Sequence, residues 1–446
     1  MLKKGLEFRR QISFSPDILR SSRLLCCFLF ALFIKSADSA SLNLSGNYRF
    51  GASMYSNLDL DPGKPVDTGN TSSYLEHRFF LRPDVVVDEH FTIKSNLSFL
   101  QLSDYPASST TTPPRFGTPL DSSASQRAGS QLLEVRNLYL NWNHDFGVFK
   151  FGRMPKHWGL GLIYDSGSEP SADYGSTVDA INFQSLVGSL ILSAAYEKNE
   201  ESHLNSDHDD VETYSGSVEY LNQDDRFNSG ILYERTIRAA ASVAHQVNKH
   251  NSSHNLSFYF KKEWDHFSFG SELATISYNK EPDVVGVLQK AKYKPSSFFI
   301  SEEFAYSTKN GANSFLFNNN YQPLLLMYRQ NMGAFLNPRQ ARKGGPVGAA
   351  IAKGDGAGSY LGALGFGYAF SQDKHILDTK IAYAMLEEKA TNPTKSLGVE
   401  WDVNFLQSWY DNFKTSYQFG ILFPGNAFGT DIRPGWGVQL RGYLVF

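Results

Sequence analysis

The stretch that decides the fold is GWGVQLRGYLVF, residues 435–446. Its large apolar side chains occupy alternate positions: Trp436, Val438, Leu440, Leu444 and Phe446. The positions between them carry Gln439, Arg441 and Tyr443. An alternation with a period of two residues predicts a β-strand with one apolar and one polar face. This strand therefore needs an apolar surrounding on one side and water on the other.

The same alternation recurs along the chain in segments of about ten residues. The clearest examples are residues 42–50, 74–83, 90–99, 397–405 and 412–423. In 397–405 the predicted apolar face includes Leu397, Val399 and Trp401, and the polar face includes Glu400 and Asp402. Repeated alternating segments predict an antiparallel sheet in which every strand has a polar and an apolar face.

The composition supports a membrane barrel. Aromatic residues make up 14% of the 446 residues, whereas the mean hydropathy is only −0.34. No run of 18 apolar residues follows residue 40, so no transmembrane helix is predicted. These features together are typical of a transmembrane β-barrel with a lipid-facing exterior and a polar interior.

The N-terminal segment has the layout of a secretory signal peptide. Basic residues precede the short apolar run 24–34, and small residues follow it. We expect residues 1–40 to be the signal peptide, with cleavage after Ser39 or Ala40, and 41–446 to be a single barrel domain. The apolar run is too short for a spanning helix, which needs about 20 residues, although a membrane anchor is the alternative.

Charge and cysteine content exclude several other classes of protein. Both cysteines, Cys26 and Cys27, lie within residues 1–40, so no disulfide and no thiolate metal site are expected in the rest. Residues 1–40 hold seven Lys/Arg and three Asp/Glu, so the remaining chain has a net charge of −7, against −3 for the whole. An acidic chain gives no support for nucleic-acid binding.

The connections between the predicted strands alternate in length. Eight short connections are rich in Asp, Asn, Gly, Pro and Ser, which favour tight turns: 87–90, 143–147, 186–189, 223–226, 264–266, 294–297, 371–374 and 410–412. Longer polar stretches separate them: 56–71, 103–130, 154–175, 199–211, 239–253, 309–357 and 424–434, with two shorter ones. This rhythm predicts 18 strands with both termini on the periplasmic side, and 16 or 20 strands are the alternatives. Residues 321–330 are placed within a long loop, folded inward or over the mouth.

One part of the sequence resembles a known family. Residues 131–185 contain a Gly152-Arg153-Met154-Pro155 strand end followed by Trp158-Gly159-Leu160-Gly161-Leu162. This stretch resembles the central hairpin of porin-like and alginate-export-type outer-membrane barrels. The final Phe446 likewise resembles the assembly signal of such proteins. The resemblance implies insertion by the barrel-assembly machinery into a Gram-negative outer membrane of lipid and lipopolysaccharide, with a homotrimer as one possible assembly.

Polar faces of the predicted strands would line the lumen. Basic side chains come from neighbouring strands and are expected to form a stripe, interrupted by Glu76: Arg49, Arg78, Arg82, Lys94, Lys414 and Arg441. Acidic side chains come from strands on the opposite wall: Glu219, Glu272 and Glu303. Two facing walls of opposite charge would create a transverse field, because lumen charges tune which solutes pass. The alternative is that these groups pair locally.

By analogy with porins, the connection 154–175 is expected to form the constriction. It carries Lys156, His157, Trp158, Asp165, Glu169 and Asp173. The alternative for this segment is an ordinary surface loop.

The sequence gives little support for catalysis, metal binding or phosphate binding. The histidines and carboxylates of 201–210 and 245–254 lack the spacing of a structural zinc site, so no metal is expected. The glycines of 354–367 lack a phosphate-loop pattern. No nucleophile-elbow or zinc-protease motif is present, so we expect no enzyme and no cofactor.

The sequence therefore predicts an outer-membrane porin, a water-filled channel for diffusion of small hydrophilic solutes, since barrels of 16–18 strands can enclose an aqueous pore. Two alternatives stay open. One is a pore specific for anionic solutes or an acidic polysaccharide. The other is a non-conducting surface barrel.

Overall fold

The computed structural model describes most of the predicted barrel. The described residues are 40–57, 71–101, 131–173, 175–200, 211–238, 251–278, 281–310, 313–315, 317–318, 320–327, 358–387, 396–426 and 433–446. The predicted signal peptide up to residue 39, the connection 103–130, most of 309–357 and the histidine-containing 201–210 lie outside them.

Twenty strands are present in the described part of the chain. They are β1 Ser41–Ser56, β2 Thr71–Val86, β3 Phe91–Gln101, β4 Gln131–His144, β5 Gly147–Pro155, β6 Thr177–Val187, β7 Leu190–Glu200, β8 Val211–Asn222, β9 Phe227–Arg238, β10 Asn251–Glu263, β11 Phe267–Tyr278, β12 Glu281–Tyr293, β13 Phe298–Ser307, β14 Lys309–Asn310, β15 Asn313–Ser314, β16 Ser359–Phe370, β17 His375–Leu386, β18 Ser396–Tyr410, β19 Phe413–Pro424 and β20 Gly435–Val445. All except β14 and β15, which form a small hairpin, belong to one 18-stranded antiparallel sheet.

The sheet closes into a barrel because β20 pairs with β1. Their register runs from Asn47 opposite Val445 to Ser56 opposite Trp436. Beyond the last rung, Gly46 N donates to Phe446 O at 2.9 Å and Phe446 N donates to Gly46 O at 3.1 Å. Closure leaves no unpaired edge, as a bilayer requires. The prediction of an 18-stranded barrel is confirmed.

The eight predicted turns each join consecutive strands of the barrel. Local chemistry explains their positions. In the β2–β3 turn, Asp88 Oδ1 accepts hydrogen bonds from the backbone N–H groups of His90 and Phe91, each at 2.8 Å. Asp favours this geometry, which satisfies backbone donors at a tight turn.

The alternation of β20 separates the exterior from the lumen. Val438 and Phe446 are 41% and 47% exposed on the outside, whereas Gln439 and Arg441 are 1% and 6% exposed inside. Trp436, Leu440 and Leu444 lie on the same outer face. The exterior is thus an apolar surface of the kind that faces lipid.

The prediction for Leu397 is wrong. It is 1% exposed and belongs to an interior apolar cluster, not to the outer face. The register with β17 shifts here, because Ala384 pairs with Gly398 while Met385 pairs with Ser396. Gly398 has a φ of 116°, and this β-bulge turns Leu397 inward.

Two connecting segments lie inside the barrel. The first, which we call the strap, joins β5 to β6 and comprises the described residues 156–173 and 175–176. The second, the inner segment, follows β15 and comprises the described residues 315, 317–318 and 320–327. No part of 320–327 is a strand, which agrees with its predicted placement in a loop. Among the described residues, no helix is long and apolar enough to cross a bilayer.

Candidate functional site

The strap crosses the lumen from one wall to the other. Leu160 and Leu162 bind Glu272 on β11, and residues 171–173 bind β1, β2 and β20. Around the barrel, β11 is ten strands from β1 in one direction and eight in the other. The two anchoring points are therefore nearly opposite.

Lys156 anchors the first part of the strap. Its Nζ lies 2.7 Å from Glu197 Oε1 on β7 and 2.6 Å from Glu234 Oε1 on β9. The three side chains are 12% exposed or less. Such charge-assisted hydrogen bonds compensate the cost of burying the ions.

Tyr164 completes this cluster of charges. Its hydroxyl donates to Glu234 Oε2 at 2.8 Å, and Lys156 Nζ lies 4.0 Å from its ring centroid. Burial alone would lower the pKa of Lys156, but Tyr164, Glu234 and Glu197 raise it above its ordinary value. Burial also raises the pKa of Tyr164. At neutral pH the lysine is therefore charged and the phenol is neutral.

Trp158 is packed against the wall next to this cluster. Its Nε1 donates to Ser257 Oγ at 2.9 Å, and its ring meets that of Tyr259 edge-on with centroids 5.0 Å apart. A Cβ at Gly230 would lie 2.9 Å from the Trp158 ring and 2.7 Å from that of Tyr259. Glycine at this position thus makes room for the indole.

The middle of the strap is held by a buried carboxylate. Glu272 Oε2 accepts hydrogen bonds from Leu160 N at 2.7 Å and Leu162 N at 3.2 Å. Glu272 and Leu162 are each 0% exposed. The carboxylate binds the strap and not the open lumen.

Arginines hold the far end of the strap. Asp173 accepts from Arg49, with Nη2–Oδ1 at 2.6 Å, and from Arg441, with Nη2–Oδ1 at 3.0 Å. Arg441 Nε also donates to Glu76 Oε1 at 2.7 Å. Arg49 and Arg78 donate to backbone carbonyls of residues 171–173. The four wall residues and Asp173 are 9% exposed or less: Arg49, Glu76, Arg78, Arg441 and Asp173. The strap therefore covers this part of the predicted basic stripe.

The inner segment is held by a pair of carboxylates on β18. Glu400 accepts hydrogen bonds from Leu326 N at 2.7 Å and Met327 N at 2.6 Å. Asp402 Oδ2 accepts from Leu325 N at 2.9 Å. Three consecutive backbone donors therefore end on two acidic side chains.

Apolar contacts hold the same segment against the wall. Leu324 to Met327 are buried together with inward side chains of β16, β17 and β19: Leu361, Ala363, Ala382, Ala384 and Leu422. A Cβ at Gly437 would lie 2.8 Å from Leu326, and one at Gly420 would lie 3.2 Å from Leu325. The wall is therefore shaped to receive the segment.

The strap and the inner segment contact each other. Asn318 N donates to Leu162 O at 2.9 Å, and its side-chain amide donates to Ile163 O at 3.1 Å. Asn320 Nδ2 donates to Asp165 Oδ2 at 3.0 Å, and Asp173 N donates to Asn320 Oδ1 at 3.2 Å. The two segments thus form one inserted unit.

A cavity of about 150 Å³ lies between the strap and the wall of β4–β9. Its lining is mainly polar: Tyr139, Lys150, Lys156, His157, Asn182, Gln184, Ser193, Glu197, Ser215, Ser217 and Glu219 are among its residues. Most contacts of the inserted unit lie on the opposite side of the barrel, so this cavity lies on the side where the inserted unit contacts fewer strands.

Two lysines face this side of the lumen. Lys94 lies on β3 opposite Tyr139, and Lys150 lies on β5 opposite Asn182. Lys150 Nζ donates to Gln184 Oε1 at 2.6 Å. Within the described residues, neither lysine has a carboxylate partner.

The remaining predicted site residues occupy varied positions. Arg82 donates to Ser168 O at 3.3 Å, and Glu219 Oε2 accepts from the Tyr259 hydroxyl at 2.8 Å. Glu303 lies 3.1 Å from Lys380 Nζ and 3.8 Å from Lys290 Nζ. His157, Glu169 and Lys414 are exposed, and His157 Nδ1 lies 3.9 Å from Asp165 Oδ1.

Sequence reasoning missed several residues that position the inserted unit: Arg136, Glu197, Glu234, Lys380, Glu400 and Asp402. Arg136 was missed because the register between β3 and β4 shifts between Asn96 and Leu97, so simple alternation does not assign its face correctly. Glu400 and Asp402 were assigned to the polar face, but no local pattern names their partners. One available signal was overlooked: β16, and β17 from Ile381 to Leu386, are apolar on both faces, which indicates that another segment covers them inside.

Comparisons with known proteins identify the fold. No family model and no curated sequence matches the chain. The structure of OccK9 (OpdG) of Pseudomonas aeruginosa shares 12% sequence identity, with a TM-score of 0.55 over 92% of this chain and 99% of that one. The outer-membrane protein OpdK of Pseudomonas aeruginosa, solved with vanillate, shares 11% sequence identity, with a TM-score of 0.53 over 91% of this chain and 98% of that one. OccAB4 of Acinetobacter baumannii shares 11% sequence identity, with a TM-score of 0.52 over 91% of this chain and 98% of that one. The chain has the barrel fold of these proteins.

Proposed function

We propose that the protein is an outer-membrane porin that passes small hydrophilic solutes by diffusion. The observation that carries this proposal is the one-sided insertion. Contacts of the strap and inner segment concentrate on β1, β2 and β9–β20, with further strap contacts to Glu197 on β7 and Arg136 on β4, whereas most polar side chains of β4–β8 line the cavity. A barrel of this size encloses water unless it is plugged, and a fixed constriction beside a polar wall sets an upper limit on solute size.

The described charges favour anions in this passage. Lys156 compensates one of the two charges of Glu197 and Glu234, and Asp173 and Glu76 compensate Arg49 and Arg441. These seven groups leave one net negative charge, held on side chains that are 12% exposed or less. Lys94 and Lys150 have no such compensation, and lumen charges tune which solutes pass.

The test is single-channel current from refolded protein in a planar bilayer under a KCl gradient. We expect steady conductance with a reversal potential that indicates preference for chloride. Substitution of both lysines, Lys94→Gln with Lys150→Gln, is expected to move the reversal potential toward zero or to the cation side. Lys374→Gln, in an exposed turn, is the matched control and should change nothing. Silence from folded, inserted protein would contradict the proposal and favour a non-conducting barrel.

A pore selective for a particular anionic solute is the second candidate. The same two lysines favour it, and OpdK, which shares the fold, was solved with vanillate. Block of the current by micromolar oligouronate would support a polysaccharide pore, whereas block by a small aromatic carboxylate would support a small-solute pore. Unchanged current with both would leave general diffusion.

Several roles belong to the same proposal. The predicted lumen and constriction residues act in the channel, either at the passage or as supports of the inserted unit. Trp436, Val438, Leu440, Leu444 and Phe446 face lipid, and the barrel-assembly machinery recognises this strand. Both termini lie in the periplasm, lipopolysaccharide surrounds the external end, and no catalytic role is assigned. The mass of the protein in detergent would decide whether it is a homotrimer.

A further inference from the structure

The outer surface of β5–β10 carries charged and aromatic side chains at the end where the longer connections lie. Two ion pairs lie side by side there: Arg153 with Asp179, Nη2–Oδ2 at 2.6 Å, and Lys198 with Glu212, Nζ–Oε1 at 3.4 Å. Asp179 is also opposite Lys198 in the register of β6 and β7. A charged row thus follows the barrel across four neighbouring strands.

One cation in this region is uncompensated. Arg235 is exposed on β9, between Tyr214 on β8 and His254 on β10. Within the described residues it has no hydrogen-bond or ion-pair partner. Tyr233, two residues earlier on the same outer face, contacts His254 through its hydroxyl, with Oη–Nδ1 at 2.8 Å. The guanidinium group of Arg235 therefore lies beside the side chains of Tyr214, Tyr233 and His254.

The patch is confined to one side of the barrel. Alternation turns most lysines and arginines of the described barrel strands into the lumen. On the outer face of the half near the longer connections, only Arg153, Lys198 and Arg235 remain. A general requirement for surface charge would distribute cations around the whole circumference.

The depth of Arg235 matches the edge of an apolar bilayer core. Outward aromatic residues recur near the opposite end of the same strands, at Tyr220 on β8 and Phe260 on β10. Each lies six residues from Tyr214 or His254, which is about 20 Å along a strand. Lipid-facing bands of outer-membrane barrels are about 25 Å tall and are flanked by aromatic girdles. Arg235 therefore lies at the level of lipid headgroups.

We propose that Arg235, with Tyr214 and Tyr233, binds the phosphate of a phosphorylated lipid headgroup, which would be lipid A in the external leaflet. This inference rests on the proposed outer-membrane location. A guanidinium binds phosphate through two parallel hydrogen bonds. The Tyr233 hydroxyl, 2.8 Å from His254 Nδ1, and the Tyr214 hydroxyl, 3.4 Å from Glu212 Oε2, would rotate to donate further ones. Because the patch faces the bilayer, its ligand has to be a membrane component.

The test is native mass spectrometry of the refolded full-length protein in detergent, titrated with bis-phosphorylated lipid A. We expect preferential binding of the phosphorylated lipid over its dephosphorylated form. Because a charge-assisted hydrogen bond is lost, Arg235→Gln is expected to weaken binding about tenfold. Arg226→Gln is the matched control, since Arg226 is exposed in the opposite β8–β9 turn. Arg235→Lys, which keeps the charge, should give intermediate binding.

Several results would overturn the assignment. These are equal binding by Arg235→Gln and wild type, equal binding of dephosphorylated lipid, or full competition by millimolar inorganic phosphate. Loss of an oligomer in Arg235→Gln, without change in lipid binding, would assign the patch to a second copy. Conductance of the same preparations separates the two proposals. Conducting protein with unaltered lipid binding in Arg235→Gln contradicts only the headgroup site, and silent protein with the expected binding contradicts only the channel.

Discussion

Lys156 is the residue on which the position of the strap depends most directly. Its ammonium group compensates two buried carboxylates, Glu197 and Glu234, at 2.7 and 2.6 Å. Lys156→Met would leave both acids without their cation, which costs about 3–5 kcal/mol for a buried pair. We therefore expect lower stability in denaturant titrations of the folded protein, together with larger and noisier single-channel currents.

A compensated variant separates charge from packing. In Lys156→Met combined with Glu197→Gln and Glu234→Gln, no buried charge is left uncompensated, so most of the lost stability should return. Lys414→Met, at an exposed position, should change stability by less than about 0.5 kcal/mol. Equal losses in the single and triple variants would show that the ion pairs do not hold the strap.

The position of the inner segment inside the barrel cannot be predicted from the sequence of that segment alone. Residues 321–330 are apolar and strand-like, yet the described part, 321–327, is held by Glu400 and Asp402 and by apolar side chains of the wall. The two carboxylates lie more than 70 residues away, so no local pattern predicts their contacts. The eight turns, in contrast, follow from residues within four positions of each other, which is why they were predicted correctly.

Release of this element should widen the channel. In Glu400→Gln the amide can accept one hydrogen bond, but its NH₂ group faces a second backbone donor, so one of the contacts to Leu326 and Met327 is lost. A buried donor without an acceptor costs about 1–3 kcal/mol. We expect higher mean conductance and more frequent transitions between current levels. Glu89→Gln, in an exposed turn, should match wild type, and an unchanged current in Glu400→Gln would refute this function of the carboxylate.

At the scale of the whole molecule, the barrel depends on closure between β20 and β1. The ring of Phe446 stacks on Phe79, with centroids 6.0 Å apart, and its backbone exchanges two hydrogen bonds with Gly46. Phe446→Ala removes the ring contact at the last rung. We expect a smaller folded fraction after refolding into lipid vesicles. The folded fraction is measured by the electrophoretic mobility of unboiled protein. Leu444→Ala removes a comparable outer side chain of β20, and an equal loss there would show that only apolar area matters.

Strand number and closure could be predicted from the sequence because alternating segments recur along the chain and eight turn sequences separate them. The interior could not. The pairing of Arg441 with Asp173 joins residues 268 apart, and Leu397 turns inward through a bulge that alternation cannot show. Predicted lumen charges therefore faced inward, but the sequence did not indicate that another segment would lie on top of them.

The strap also has a mechanical consequence. A closed sheet is a hoop, and a hoop flattens into an ellipse far more easily than it stretches. The strap is fixed to β11 by Glu272 and to β1 by Arg49, at nearly opposite points of the circumference. It acts as a tie rod across the diameter, so lateral pressure from the bilayer cannot widen the barrel along that line without breaking buried ionic contacts. The bore should therefore keep its cross-section in membranes of different tension.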